Sequence, residues 1–255
     1  MALIKYGRVD KLEYKAFETR DEMGKFAAED AAAEIKKQIS EKGEINMIFA
    51  AAPSQNDFLK ALAEDKTIDW TKIHAFHMDE YVGLPADAKQ GFGNFLKAAI
   101  FGKVPFASVD YIDCTAEDPE AECKRYSKLL KEHKCDVLIC GIGENGHIAF
   151  NDPHVADFKD PKKVKVVSLD DVCRRQQVND GCFEKLDDVP KFALTLTVPT
   201  LMAADAAFCI VPAKTKANAV KRTIYGKISE ECPATALRNH DCAKLYLDAD
   251  SAALI

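Results

Sequence analysis

The chain has 255 residues, 47% hydrophobic and 30% charged, enough to bury one sizeable α/β core without a second domain. Its formal charge of −6, spread in mixed-sign runs such as Lys36-Lys37 and Glu41-Lys42, argues against nucleic acid as the main partner, so an anionic substrate needs a local positive site. No apolar run reaches the roughly 18 to 20 residues that span a bilayer, and the start Met1-Ala2-Leu3-Ile4-Lys5 lacks a secretory h-region, which points to the cytoplasm and away from a membrane.

Taken in chain order, the first clear pattern is Met23, Phe26, Ala27, Ala31, Ile35 and Ile39 at helical intervals, which predicts a core-facing helix over 21–40. A strand is predicted over 45–51. Beyond it, Ser54 or Asn56 can cap a helix through Phe58-Leu59-Lys60-Ala61-Leu62, whose first amides and a hydroxyl suit an anion; the same residues also read as an ordinary capped helix. A strand over 72–78 then runs into Asp79 and Glu80. Adjacent residues of extended chain point to opposite sides, so one carboxylate can face a pocket as a general base while the other makes structural hydrogen bonds. The loop 85–93 reads either as a cover for a bound ligand or as a plain surface connection. Strands are predicted over 109–112 and 135–140, around a helix over 119–133. That helix opens on proline and acids and closes on Lys128, Lys131 and His133, as the macrodipole prefers.

The run GIGENGHIAFNDP, residues 141–153, follows a predicted strand and sets a histidine among glycines, the place where open α/β sheets put chemistry. Gly141, Gly143 and Gly146 match the G-x-G-x-x-G spacing of a dinucleotide turn. That turn must open a full helix, whereas Asn151-Asp152-Pro153 reads as another turn, which disfavours nicotinamide or flavin. The preferred reading takes the glycines as room for a ligand against bare backbone, with His147 at the rim as an acid or base near neutral pH. A tight loop shaped by glycines is the bland alternative.

Strands over 163–167, 206–211 and 243–247 complete the pattern, and Lys216 starts a helix after the second of these. Such alternation implies parallel strands joined by right-handed crossovers. The predicted fold is a single α/β domain over 1–255, a Rossmann-like, open, mostly parallel sheet with helices on both faces. The nine cysteines are odd in number and contain no C-x-x-C pair, which speaks against disulfides or zinc. Cys140 and Cys209 lie in apolar strands as small hydrophobes, while a reactive thiol among Cys173, Cys182 or Cys232 stays an open reading.

Together, FHMDEYVGL (76–84) and GHIAFNDP (146–153) resemble the signature segments of glucosamine-6-phosphate deaminases (isomerases), within the superfamily that includes 6-phosphogluconolactonases. Residues 45–62, Val189-Pro190-Lys191-Phe192-Ala193-Leu194-Thr195 and Lys216-Ala217 resemble further family landmarks, and Ile148-Ala149-Phe150-Asn151 favours the deaminase branch. The resemblance implies conversion of glucosamine 6-phosphate to fructose 6-phosphate and ammonia, with neither metal nor nicotinamide as cofactor. It implies that Asp79 moves a proton between C2 and C1 of the open-chain sugar and that His147 assists ring opening, oriented by a carboxylate. Asp152 stands where the family usually has glutamate, and Asn145 where it usually has aspartate. Ala52, Pro53, Ser54 and Gln55 replace a glycine- and threonine-rich phosphate loop, Lys216 matches a phosphate-binding lysine, and Arg174 or Arg175 lies near, but out of register with, a phosphate-contacting arginine. Glu80 and Gly146 complete the candidate substrate contacts. Two other readings are a sugar lactone phosphate hydrolase, with His147 activating water, and a sugar-phosphate sensor without turnover. The implied partner is a small sugar phosphate, with a homo-oligomer left open.

Overall fold

A computed structural model describes residues 3–255. Met1 and Ala2, with which the segment read for a secretory signal begins, lie outside the described residues. The strands are β1 (Leu3–Val9), β2 (Leu12–Phe17), β3 (Ile45–Phe49), β4 (Ile73–His77), β5 (Asp79–Tyr81), β6 (Ser108–Asp110), β7 (Val137–Cys140), β8 (Val164–Ser168), β9 (Phe192–Leu196), β10 (Ala206–Val211) and β11 (Ala243–Asp248). The helices are α1 (Arg20–Lys42), α2 (Asn56–Glu64), α3 (Phe92–Leu96), α4 (Pro119–Glu132), α5 (Asp171–Asn179), α6 (Val198–Met202) and α7 (Ala217–Tyr225).

Eight strands form one sheet in the order β1-β2-β11-β10-β7-β3-β4-β6, parallel except for the β1–β2 hairpin. Its central strands are apolar on both faces, as a buried parallel sheet requires. In β3, Met47 and Phe49 pack with α1 and α2 residues Ala27, Ile35 and Leu59. The intervening Ile48 packs instead with Tyr126 of α4 and Val220 of α7. The period-2 alternation of the strands therefore feeds two cores, and helices cover both faces. Thr19 caps α1 through its side chain and Asp118 caps α4, with Pro119 in the first turn. Neither Ser54 nor Asn56 caps α2: a single 3₁₀ turn, Pro53–Gln55, leads into it without a side-chain cap bond.

Two parts of the architecture depart from the sequence expectation. The β1–β2 hairpin precedes every predicted element; β2 joins the sheet beside β11, and β1 forms the edge with Leu3, Ile4 and Tyr6 exposed. A second sheet, β5-β9-β8, is antiparallel, and it gives Asp79 and Glu80 a strand of their own beyond β4. No helix of the described residues is long and apolar enough to cross a membrane.

The parallel strands run outward from β3 in both directions: β3 to β4 to β6 one way, β7 to β10 to β11 the other. The reversal lies between β3 and β7. Carboxyl ends of strands at such a switch point leave a crevice between diverging loops, and this is where the candidate residues converge.

Candidate active site

A cavity of about 60 Å³ opens at that switch point. After β3 the chain contributes Ala52, Ser54 and Gln55; after β4, Met78 and Asp79; after β7, Gly141, Gly143 and His147; after β10, Lys216. A second cavity of about 310 Å³ adjoins it, sharing Ala51, Ala52, Phe92 and Gln177 as wall residues. Small-molecule sites usually enclose ~300–1,000 Å³, so a hexose-sized ligand needs both spaces together. Pro53, Lys89 and Gln90 line the outer one.

Asp79 reaches the inner cavity because β5 pairs with β9, Asp79 opposite Thr195. The pleat then sends Glu80 the other way: its carboxylate accepts backbone N–H bonds from Tyr81, Phe92 and Gly93 at 2.9, 3.0 and 2.8 Å. Glu80, a candidate substrate contact, is thus the structural member of the pair and anchors the start of α3. Burial pushes the Asp79 carboxyl well above the usual carboxylate range, and the neighbouring Glu80 adds to the rise. A stronger base results.

Beneath Asp79 lies His77, fully buried. Its Nδ1–H donates to the Asp79 carbonyl at 2.9 Å, and its Nε2 accepts from the Ile112 N–H at 2.9 Å. The bond accepted by Nε2 requires the neutral ring, and burial lowers its pKa to about 4. Sequence reasoning quoted His77 within a motif but gave it no role; its place two residues before Asp79 on a strand was the available signal.

On the facing loop, Nδ1 of His147 lies 2.8 Å from Oδ1 of the wholly buried Asp152. Burial alone would raise the Asp152 pKa, but His147, Asn145 and Cys173 outweigh it and hold the carboxyl below its ordinary value. Asn145 supports both partners: its Nδ2 donates to Asp152 Oδ1 at 2.9 Å, and its Oδ1 accepts from the His147 N–H at 3.0 Å. The shorter aspartate therefore reaches the imidazole, and the neutral amide at 145 donates where a carboxylate would repel. Neither Asp152 nor Asn145 lines the cavity; both act behind His147.

The glycines serve this packing. A Cβ at Gly143 would fall 2.1 Å from His147 Nε2, so only glycine leaves the ring its place. Gly146 has φ +93°, and a Cβ there would also strike Cys232 Sγ at 2.6 Å. Gly146, another candidate contact, thus lies outside the cavity and shapes the loop. The next helix after these glycines is α5, which begins at Asp171, so the dinucleotide turn is absent for the reason its spacing alone concealed.

Lys216, only 4% exposed, also lines the cavity. Burial lowers its pKa, opposed by Asp180 and Glu144. Arg174 does not join it. Its guanidinium donates to the carbonyls of Leu186 and Val189 and pairs with Asp171 at 3.2 Å, because its position on α5 turns it toward the 186–189 segment. Instead the adjacent Gln176 and Gln177 of α5 line the cavity, neither of them singled out by sequence. Their signal was the polar pair itself on an otherwise half-buried helix.

His147, Asp152 and Cys173 offer ligand atoms within 4.8 Å of one another, as do Asp152, His154 and Asp170. Burial pushes the Cys173 thiol well up, with Asp152 adding to the rise, which is opposite to the thiolate a metal or a nucleophilic role requires. Burial likewise raises Cys182, to about 11, and Cys232. All nine cysteines are free.

Residues 18–247 match the profile of the glucosamine-6-phosphate isomerase/6-phosphogluconolactonase family. The chain belongs to this family. A Listeria welshimeri protein named glucosamine-6-phosphate deaminase is 33% identical over 231 residues, covering 91% of this chain and 97% of the relative. A Bacillus cereus protein of the same name is 36% identical over 187 residues, 73% of this chain and 70% of its own. Among solved structures, a monomeric glucosamine-6-phosphate deaminase superposes with a TM-score of 0.85 at 29% identity, covering 96% of this chain and 100% of its own. The 6-phosphogluconolactonase of Thermotoga maritima superposes with a TM-score of 0.76 at 20% identity, over 93% of this chain and 100% of its own, a likeness of fold alone.

Proposed function

We propose that the chain, acting as one unit over 1–255, is an amino-sugar phosphate isomerase/deaminase that converts glucosamine 6-phosphate to fructose 6-phosphate and ammonia. The observation that carries this reading is the convergence of Asp79 and the His147–Asp152 pair on one cavity that also contains Lys216. Both the curated relatives and the most similar structure quoted above are deaminases by name, which supports the same reading.

In the proposed reaction His147 gives a proton to the ring oxygen as the pyranose opens, and Asp152 stabilises the charged imidazole. Asp79 then takes the proton from C2 of the open chain and returns it to C1. The C–N bond at C2 becomes an imine, water adds to it, and ammonia leaves as the C2 ketone forms. Ring opening and the C2-to-C1 shift both turn on proton transfer, so a base strengthened by burial beside an imidazole is the equipment they need. Lys216 and Ser54 hold the phosphate, while Asn145 and Asp152 act as positioning residues behind His147.

An ammonia-release assay over a panel of hexosamine 6-phosphates tests the proposal. Ammonia together with a ketose phosphate supports it. A sugar acid from a lactone phosphate, or binding with no product, would replace it with the hydrolase or sensor reading.

A further inference from the structure

Lys216 and Gln177 are two side chains of the cavity wall, besides the Asp79 carboxylate and Gln55 Oε1, whose polar ends have no protein partner among the described residues. Lys216 is 4% exposed and Gln177 is 7% exposed, yet among the described residues neither the ammonium nor the carboxamide has a hydrogen-bond or ion-pair partner. Polar side chains this far inside a protein are usually partnered by it; these two instead keep contact with the open space of the cavity they line, since neither is among the fully enclosed unpartnered atoms. The neighbouring Gln176 illustrates the rule: its Oε1 accepts from the Glu144 N–H at 2.8 Å and its Nε2 donates to Asp180 at 3.3 Å. Gln177 therefore stands out on its own helix. It also lines both the inner and the outer cavity, so any ligand spanning them passes its carboxamide.

A lone lysine supplies charge but little direction, whereas a carboxamide N–H is directional. Arg174, which might have provided a fork of donors, is spent on Leu186 and Val189. We infer that Gln177 is a substrate-binding residue that, with Lys216, holds the anionic group of the ligand and sets the preference for a phosphorylated over an unphosphorylated sugar. The inference deepens the deaminase reading by naming what recognises the phosphate, and it rests on that reading only for turnover.

The test uses the full chain and glucose 6-phosphate, which lacks the amine and so reports binding without deamination. Calorimetry should show glucose 6-phosphate binding weakened about tenfold by the isosteric Gln177→Glu, which sets a carboxylate beside the phosphate. Gln177→Arg, given room by the outer cavity, should strengthen it. A merely structural role would move both variants in one direction; that outcome, no change in either, or no binding by the wild type overturns the inference. In turnover, Gln177→Ala should raise KM for glucosamine 6-phosphate about tenfold with kcat within about twofold. Loss confined to kcat would also overturn it. Opposite shifts in glucose 6-phosphate binding, from a chain that releases no ammonia, would leave this inference standing and remove the deaminase reading.

Discussion

The cavity wall carries two sets of groups built on different principles, a reacting end of Asp79 and His147 with their supports and a binding end of Lys216 and Gln177. At the reacting end the supporting groups are tied to one another, His77 to the Asp79 backbone, Glu80 to three amides, His147 to Asp152, and Asn145 to both of the latter pair, while the Asp79 carboxylate itself has no hydrogen bond among the described residues. At the binding end Lys216 and Gln177 have no protein partner among the described residues. Proton transfer needs groups fixed before the substrate arrives, so that none of the reaction's energy goes into reorganising them. Binding an ion needs groups left open for it. The contrast teaches where each kind of substitution should act: on rate at one end, on affinity at the other.

The strongest way to break this contrast is Asp79→Asn, which should lower kcat about 10³-fold and abolish solvent-deuterium incorporation at C2, with glucose 6-phosphate still bound. Unchanged exchange would remove Asp79 from the reaction. Next is the support beneath it. The unfolded His77 imidazole titrates near 6.5 and the folded one near 4, so stability present above about pH 6.5 is lost as pH falls toward 4, by about 3 kcal/mol. Asp79 and Glu80, whose pKa values burial raises, work in the opposite sense, so the measurement is a difference. Denaturant titrations of wild type and His77→Gln across that range should show a shallower acid loss in the variant.

His147→Gln sharpens the comparison within the reacting end. It should slow the closed-ring substrate about 10²-fold and the open-chain form much less; equal losses would contradict a ring-opening role. The smallest effect belongs to the binding end, where Lys216→Ala should raise KM for phosphorylated substrate about thirtyfold, about 2 kcal/mol, with kcat nearly kept. A kcat loss of the same size would merge the two ends into one function.

Much of this was legible locally. The two motifs named Asp79 and His147, the helix over 21–40 follows from its stripe, and the Asp79–Glu80 pair was read as divided between pocket and scaffold. What escaped were placements that depend on distant partners. Arg174 fits a phosphate site by residue type, but its rotation on α5 toward the carbonyls of Leu186 and Val189 is invisible in the sequence. Gln177 carries no motif at all, and its meaning arises only where two cavities share a wall.

The sequence by itself determined the alternation of strands and helices, the loops at the carboxyl ends and the chemistry they carry, because side-chain period and glycine spacing are properties of neighbouring residues. Tertiary structure alone decided which carboxylate faces the cavity, through the pairing of β5 with β9, and which basic group lines it. Those choices follow from register and helix rotation between segments far apart in the chain, where a shift of one residue turns a side chain from pocket to core.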